Sequence, residues 1–369
     1  MEAMKLHIGQ MVPSFLPGQD GLGDYAFRLA SELTRSDIDT TFIVAGHRHR
    51  NQKHGGTDGR EAFNVLQLNE SDPAGLVRLL ASIKVDVLIV HMSGYGYEDK
   101  GAPAWLVSGL EEYKRTTHTK IISVFHELWQ RPVLWKKTLI RWYSQYRVMR
   151  RLFEISDVYV TNAQRRLEKL QSWGPGKPGC SLPVFSNIGE LEQLESKETD
   201  LAVVFGLSLG RRRTYEALAS KTADMAALGI RRIIDIGDPT FAIPDELHKI
   251  VISRGRLDDG VVSRVLARSL LGFASYDGDV FAKSGVFNAY ASHGVCTINL
   301  KSSANGRDGL ESGKQYLNWR QAREAGAEIV AVAERVGRSA FDWYQSHNTR
   351  AVGLIFSKMI RQAVAADRR

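Results

Sequence analysis

Residues 271–300 read LGFASYDGDVFAKSGVFNAYASHGVCTINL and place a Lys-Ser-Gly turn between two apolar runs. Lys283-Ser284-Gly285 opens a predicted helix, and Gly294 closes it before the second run. The first backbone NH groups of a helix have no partner within it, and its dipole is positive at that end. Together with the lysine they favour a bound diphosphate. An ordinary strand, helix and strand with a lysine at the rim is the alternative interpretation.

The composition is that of a globular protein with more than one domain. At 369 residues the chain is too long for one typical core. The sequence contains two cysteines, Cys180 and Cys296, in no ligand-like spacing, so we expect no metal site and a reducing, cytoplasmic compartment. The net charge of +8 favours anionic partners such as nucleotide phosphates or an anionic membrane face. The sequence has no apolar run long enough to span a bilayer.

Short apolar runs alternate with longer amphipathic segments, which is the pattern of parallel α/β units. In the first half, strands are predicted at 6–10, 41–45, 85–91, 121–126 and 158–161, and helices at 24–34, 73–83 and 135–155. In the second half, strands are predicted at 201–206, 231–236, 248–252, 270–274 and 295–300. The Gly- and Pro-containing segment 172–200 lies between the halves and predicts a domain boundary.

Two further loops follow predicted strands. After the first strand, residues 17–25 read PGQDGLGDY and can present backbone NH groups to a ligand, although the glycine spacing is not that of the dinucleotide-binding motif. In the second half, Gly206 precedes Arg211, Arg212 and Arg213, which can clamp a diphosphate. The alternative is a solvated helix start, but it leaves unexplained why cations lie at the end of the dipole that repels them.

Four motifs, in order along nearly the whole chain, make it resemble the B-type glycosyltransferases of family 4. The motifs are Gly21-Leu22-Gly23-Asp24-Tyr25, Phe125-His126-Glu127-Leu128-Trp129, Gly206 with its arginines, and Lys283-Ser284-Gly285 with Ala291-Ser292-His293-Gly294. The resemblance implies an α/β fold with two Rossmann-like domains facing across a cleft. These domains are expected at 1–190 and 191–340, and a closing helix at 341–369 is expected to pack on the N-terminal domain.

The resemblance also implies an activity. Such enzymes move a sugar from a nucleotide sugar, bound mainly by the C-terminal domain, to a saccharide or lipid-linked saccharide, often in bacterial envelope polysaccharide synthesis, without a metal or a further cofactor. The candidate donor-binding residues are Gly21, Gly23, Gly206, Arg211, Arg212, Arg256, Leu257, Asp277, Lys283, Ser284 and Gly285. The candidate acceptor-binding residues are Asp24, Tyr95 and Tyr97. The candidate catalytic residues are His126 and Glu127.

His126 and Glu127 end an apolar predicted strand. An ordinary imidazole titrates near neutral pH, so His126 can donate to a sugar hydroxyl or take a proton from the acceptor. A buried structural histidine is the alternative. The loop after the preceding strand contains Tyr95, Tyr97 and Trp105, whose rings suit stacking on a sugar, although aromatic anchors of the loop would give the same pattern.

The sequence departs from the family at one place. Two glutamates that commonly hold hydroxyl groups of the donor correspond here to Phe281 and Ala289. Either Asp277, Asp279 and Asn288 replace them, or the donor is recognised differently. Asp277-Gly278-Asp279 also matches a short metal-binding pattern of A-type glycosyltransferases, which have a different architecture, and we predict no metal there.

The predicted helix at 135–155 is amphipathic. Its apolar face carries Trp135, Leu139, Trp142, Tyr146, Met149 and Phe153, and its other face is cationic. Packing of the apolar face on its own domain is the favoured interpretation, and docking of the cations on anionic lipid at the inner face of the cytoplasmic membrane is the alternative. Nucleic acid is not expected as a partner, because no recognised nucleic-acid module accompanies the charge.

The sequence leaves two other functions open. The missing glutamates allow a glycosyltransferase-like protein that binds a nucleotide or sugar without turning it over. A nucleotide-sugar epimerase on the same two-domain fold would convert its sugar without an acceptor.

Overall fold

The computed structural model describes residues 5–15, 21–46, 59–130, 136–301 and 307–366. The strands are β1 Leu6–Val12, β2 Ile38–Val44, β3 Asn64–Gln67, β4 Val87–Met92, β5 Lys120–Phe125, β6 Val158–Thr161, β7 Gly179–Ser181, β8 Glu198–Phe205, β9 Arg232–Ile236, β10 Val251–Ser253, β11 Ser269–Ala274, β12 Cys296–Asn299 and β13 Leu317–Asn318. The helices are α1 Gly21–Thr34, α2 Pro73–Ala81, α3 Gly94–Tyr97, α4 Ala104–Thr117, α5 Lys136–Ile155, α6 Gln164–Gln171, α7 Ser208–Leu218, α8 Thr222–Ala227, α9 Asp259–Arg268, α10 Gly285–Ser292, α11 Trp319–Ala325, α12 Ile329–Gln345 and α13 Thr349–Ala365. No helix among these residues is long and apolar enough to cross a membrane.

The strands form two separate sheets, and every pairing between the named strands is parallel. The described strands follow the order β3-β2-β1-β4-β5-β6-β7 in one sheet and β10-β9-β8-β11-β12-β13 in the other. In each sheet the order reverses beside the first strand, between β1 and β4 or between β8 and β11. Loops that leave the carboxyl ends of two such strands diverge, and open parallel sheets bind their ligands there.

The chain divides into two compact units. The first comprises Met1–Asn162, Arg166–Leu182 and Thr349–Arg369, and the second comprises Ala163–Arg165 and Pro183–Asn348. Residues 341–345 therefore end helix α12 in the second unit, whereas helix α13 lies in the first unit and packs on α1.

Local chemistry explains where helices begin. Asp72 caps α2, because its Oδ1 accepts from the NH of Gly75 at 2.7 Å and Pro73 occupies the first helical position. Asn318 and Gln321 form a reciprocal capping box at the start of α11. The central strands are buried on both faces, as parallel strands between helix layers must be, and this is why they are apolar throughout.

The sequence predicted the central strands but missed three. Strands β3, β7 and β13 have four residues or fewer and lie at the edges of their sheets. Edge strands bury less of their surface, so β3 and β7 carry half-buried or exposed positions rather than an apolar run.

Candidate active site

The first unit places His126 at the carboxyl end of its sheet, directly after β5. Its NH donates to the carbonyl of Met92 at the end of β4 (3.1 Å), and its own carbonyl accepts from the side chains of Asn162 and Arg166. The main chain of His126 is therefore held on both sides, and the residue is 7% exposed.

A second histidine contacts His126. The Nδ1 atom of His91, in β4, lies 3.1 Å from Nε2 of His126. The other ring nitrogen of His91, Nε2, lies 2.8 Å from Oε1 of Gln10, in β1. The Tyr25 ring packs edge-on against both imidazoles. Burial, and then the nearby His126, lower the pKa of His91 well below its usual value, so His91 is neutral near pH 7.

Gln10 and His91 were not predicted as site residues from the sequence. Both lie fully buried within strands that are otherwise mainly apolar. A polar side chain inside a buried parallel strand needs a partner, because burying an unpaired polar group is costly. That interruption of the apolar run is the signal that could have identified them.

Glu127, the second candidate catalytic residue, is exposed. The hydroxyl of Ser93, which follows β4, donates to its Oε2 at 3.1 Å. The loops after β4 and β5 are therefore joined at the carboxylate, which can also accept hydrogen bonds from a hydroxyl-bearing ligand.

Helix α1 begins at Gly21, beside the loop that follows β1. A Cβ atom on Gly23 would lie 2.5 Å from the carbonyl oxygen of Ser14, so glycine allows this close approach. The carboxylate of Asp24 lies 2.5 Å from the guanidinium of Arg60, whose side chain is almost fully buried. Oδ1 of Asp24, a candidate acceptor-binding residue, therefore forms a structural ion pair with Arg60. Residues 17–20 of the predicted glycine loop lie outside the described residues.

The two candidate acceptor-binding tyrosines have different environments. Tyr97 is fully buried, and its hydroxyl donates to the carbonyls of Met11 and His91 at 3.2 and 3.0 Å. The prediction that Tyr97 stacks on an acceptor therefore needs correction, because its ring belongs to the core. Tyr95 is half-buried, and its hydroxyl accepts from Nε2 of Gln145 at 2.8 Å.

A cavity of about 340 Å³ lies beside the loop after β4. Its lining residues are Ser71, Tyr97, Glu98, Asp99, Lys100 and Trp105. An aromatic ring next to carboxylate, hydroxyl and ammonium groups matches a ligand that has both an apolar face and several hydroxyl groups.

In the second unit, the start of α10 has the features of an anion site. The Oγ atom of Ser284 caps the helix by accepting from the NH of Phe287 at 3.2 Å. Gly285 is exposed, and a Cβ atom there would have no neighbour within 4 Å. Lys283 is half-buried and ends the 3-10 helix Gly278–Lys283 directly before the cap. Lys283 therefore directly precedes the positive end of the helix dipole in the chain.

The loop after β8 reaches the same place. Gly206 has a φ of +124°, and a Cβ atom on it would lie 2.7 Å from Cγ2 of Val286 in α10. Because β8 and β11 flank the point where the strand order reverses, this loop and the start of α10 lie where parallel sheets bind ligands. The structure thus brings together Gly206, Lys283, Ser284 and Gly285.

Arg211 is not part of this cluster. Its guanidinium forms two hydrogen bonds to the carboxylate of Asp235 and one to the carbonyl of Asp238. The side chains of Arg211 and Asp235 are each 2% exposed. The prediction that Arg211 clamps a diphosphate needs correction, because its donors are used inside the fold.

The remaining candidate cations are exposed. Arg212 pairs with Glu216 on the surface of α7 at 2.8 Å, and Arg256 lies 3.4 Å from Asp238. Such exposed pairs are weak and can exchange for a phosphate. Leu257 packs at the edge of an apolar cluster of the second unit.

The positions of the missing glutamates are core positions here. Phe281 and Ala289 are fully buried, and the Phe281 ring stacks on Phe287 at 4.2 Å. Asn288 is also fully buried, and its amide donates to the carbonyls of Ala282 and Ser284 at 2.9 Å. Asn288 therefore braces the backbone at the start of α10, and the expectation that it could replace a glutamate needs correction.

Asp277 is exposed and caps the 3-10 helix, whereas Asp279 pairs with Arg165 at 2.8 Å. Among the described residues, no three His, Cys, Asp or Glu side chains are grouped so that they could hold a metal ion. Metal independence stays a prediction.

No family model matches the chain, and no curated protein matches its sequence. Solved structures match almost all of it. The pneumococcal O-GlcNAc transferase GtfA, solved with UDP and GlcNAc, has a TM-score of 0.66 at 9% identity over 98% of this chain and 100% of its own. WaaG, a glycosyltransferase involved in lipopolysaccharide biosynthesis, has a TM-score of 0.57 at 13% identity over 96% and 99%. A Listeria monocytogenes protein assigned as a UDP-N-acetylglucosamine 2-epimerase has a TM-score of 0.55 at 12% identity over 100% and 97%.

These likenesses establish the fold. The chain has the fold of the B-type glycosyltransferases, with two parallel α/β units, as the sequence predicted. Family 4 is compatible with this fold and is not singled out by it.

Proposed function

We propose that this protein is a glycosyltransferase that moves a sugar from a nucleotide sugar to a saccharide acceptor. The observation that carries the proposal is the convergence of Gly206, Lys283, Ser284 and Gly285 at the switch point of the second sheet. The solved structures with this fold that contain UDP support the same ligand class.

The donor diphosphate would bind at the start of α10. Exposed NH groups near Gly285 and the ammonium group of Lys283 would stabilise the charge that grows on the diphosphate as its bond to the sugar breaks. Arg212 and Arg256 are exposed and can leave their surface partners to add charge, whereas Arg211 acts only through the fold. Asp277 is exposed and can accept hydrogen bonds from donor hydroxyl groups.

The acceptor side lies in the first unit. In the transfer, the bond between the anomeric carbon and the diphosphate oxygen breaks, and a bond forms between that carbon and an acceptor oxygen. The acceptor proton must leave, either to His126 or to the departing diphosphate. Glu127, Tyr95 and the cavity beside Trp105 would orient the acceptor.

A lipid-linked acceptor in envelope glycan synthesis would explain the surface of α5. Its second half packs on its own unit through Met149 and Phe153, as the favoured interpretation of its sequence expected. Its first half leaves Leu139, Ile140 and Tyr143 40%, 68% and 54% exposed. Exposed cations on the same half-helix, Lys137 and Arg141, complete a surface suited to anionic lipid.

Two observations favour other functions. Phe281 and Ala289, both buried, stand where the family that the sequence resembles has its two donor-binding glutamates, and the loss of these carboxylates favours a protein that binds a nucleotide sugar without turnover. The likeness to the assigned epimerase favours conversion of the nucleotide sugar itself.

One experiment separates the three. UDP, GDP, ADP and TDP sugars are first screened by thermal shift, since a ligand at about 100 times its dissociation constant adds about 2.7 kcal/mol of stability. The bound donor is then incubated with and without saccharide acceptors. Nucleotide release that increases with acceptor supports transfer, an altered nucleotide sugar without acceptor supports epimerisation, and binding with no product supports the non-catalytic protein.

A further inference from the structure

The most distinctive polar feature of the first unit is the buried chain formed by Gln10, His91 and His126. These residues come from three neighbouring strand ends, β1, β4 and β5. The hydroxyl of Tyr97 donates to the carbonyl of His91, and the main chain of His126 is held by Met92. These contacts fix the main chain of both histidines, and the ring contacts between His91, Gln10 and Tyr25 limit where the two imidazoles can lie.

The orientation of the Gln10 amide decides which nitrogen of each histidine carries the proton. The Oε1 atom of Gln10 faces Nε2 of His91, whereas Nε2 of Gln10 has no hydrogen-bond partner among the described residues. Because Oε1 can only accept, Nε2 of His91 carries a proton and donates to it in this orientation. Neutral His91 then has its lone pair on Nδ1. Nδ1 of His91 lies 3.1 Å from Nε2 of His126. Because Nδ1 accepts, Nε2 of His126 must carry the proton of this hydrogen bond. The lone pair of a neutral His126 is consequently on Nδ1.

We propose that His91 and Gln10 are positioning residues that fix His126 as its Nε2-protonated tautomer, so that Nδ1 is the atom that accepts a proton during transfer. The proposal rests on the function proposed above for His126. When Nδ1 takes the proton, the resulting imidazolium keeps its Nε2–H bond to the lone pair of His91, which stabilises the positive charge in a buried place. The acceptor proton ends on His126, and neither His91 nor Gln10 changes its number of protons.

The first measurement is the tautomer of His126. In protein labelled with ring-15N histidine, the chemical shifts of the two nitrogens show which one carries the proton, and loss of signals in His126→Gln assigns them. We expect the parent to be protonated at Nε2. In Gln10→Leu, His91 loses its acceptor, so its proton is expected to move to Nδ1 and point at His126, which then holds its own proton on Nδ1.

The second measurement is turnover. Gln10→Leu and His91→Leu are expected to lower kcat about a hundredfold without changing KM for the donor. His91→Asn places an amide oxygen near the position of Nδ1, so it is expected to keep the parent tautomer of His126 and most of kcat. The control is Ser123→Ala. Ser123 lies in β5, the strand that precedes His126, and its change removes the buried hydrogen bond from Ser156 without altering a histidine.

An Nδ1-protonated His126 in the parent, or an unchanged tautomer in both Gln10→Leu and His91→Leu, would overturn the proposal. A shifted tautomer with unchanged kcat would overturn it as well. If the parent transfers no sugar, the proposed function fails, and the tautomer spectra of the parent and the variants still decide whether His91 positions His126. Should Gln10→Leu fail to fold, the comparison of His91→Asn with His91→Leu gives the same decision.

Discussion

Arg211 and Asp235 form a buried ion pair in which Nη2 lies 2.5 Å from Oδ2. The pair joins α7 to β9, next to the loop whose arginines the sequence presents as a phosphate clamp. Two consecutive arginines of α7 thus lie in different environments. Arg211 lies on the buried face of the helix, whereas Arg212 lies on its solvent face and is 64% exposed.

The first prediction follows from that pair. Arg211→Ala leaves the Asp235 carboxylate buried without its partner and is expected to lower the free energy of unfolding by about 3–5 kcal/mol. Arg212→Ala is the matched control, and its effect should stay within about 0.5 kcal/mol. Urea denaturation of the two variants measures both. Equal stability would mean that Arg211 is available to a ligand after all.

The second prediction concerns Lys283. Lys283→Ala should weaken nucleoside diphosphate binding about ten- to a hundredfold, because a charge-assisted contact of about 1.5–3 kcal/mol is lost. Binding of the nucleoside without phosphates should not change. Calorimetric titration with nucleoside, monophosphate and diphosphate tests this, with Lys314→Ala as a control for removal of an exposed lysine of the same unit. A uniform loss for all three ligands would indicate damage to the fold.

The third prediction concerns His126. If it takes part in transfer, His126→Ala should lower kcat about a hundredfold or more while nucleotide affinity changes little. Because its imidazole is buried against His91, the variant should also lose about 1–3 kcal/mol of stability, so kcat is compared at a temperature where both proteins stay folded. His248→Ala, which changes an exposed histidine of the second unit, is the control. Steady-state kinetics and thermal unfolding of both variants measure the difference, and near-normal turnover would assign His126 to the structure alone.

The fourth prediction concerns three exposed cations of α5, Lys137, Arg141 and Arg147. Changing Lys137, Arg141 and Arg147 to Ser should weaken binding to anionic vesicles, since each cation near the surface contributes about 1 kcal/mol. Replacing Ile140 and Tyr143 with Ser should weaken it further by removing apolar contact with lipid. The control changes Arg254, Lys314 and Arg320 to Ser, which removes the same charge from exposed positions of the second unit. Vesicle sedimentation at several salt concentrations gives the affinities, and equal binding to neutral vesicles would contradict a lipid-docking role.

The fifth prediction concerns pH. Burial lowers the pKa of His293 to about 4 and that of His347 to about 3, from 6.5. As the pH falls below 6.5, the unfolded chain binds protons that the folded second unit does not, so the free energy of unfolding falls by about 1.4 kcal/mol per pH unit for each histidine. His347→Phe should therefore flatten the pH dependence between pH 6 and pH 4, whereas His248→Ala should not. Urea midpoints across this range give the slopes, and parallel curves for parent and His347→Phe would refute the assignment.

The sequence predicted the two α/β units well because central parallel strands bury both faces and read as apolar runs. It located the start of α10 at Lys283-Ser284-Gly285 for a similar reason, since a helix start has a local chemical signature, and the structure adds that Ser284 is the cap. Short edge strands such as β3 and β7 have neither an apolar run nor a local chemical signature. They form because neighbouring strands offer them hydrogen bonds, which only the assembled sheet provides.

The candidate site was less predictable, because exposure is a property of the fold. Tyr97 and Arg211 have the chemistry of binding residues, yet packing turns both inward. Conversely, Gln10, His91 and His126 lie far apart in sequence, and they form one hydrogen-bonded series, with His91 in the middle, only because β1, β4 and β5 are adjacent in the sheet. The spacing of residues along the chain does not show which strands are neighbours in the sheet.

The position of α13 has a consequence for the order in which the two units fold during synthesis. This helix packs on α1 so closely that a Cβ atom on Gly353 would lie 2.6 Å from Cβ of Glu32. Yet α13 follows the whole second unit along the chain. Domains commonly fold as they leave the ribosome, the earlier one first. One face of α1 therefore stays uncovered until α13 has been synthesised, which happens only after the second unit, so the native packing of the first unit is completed late.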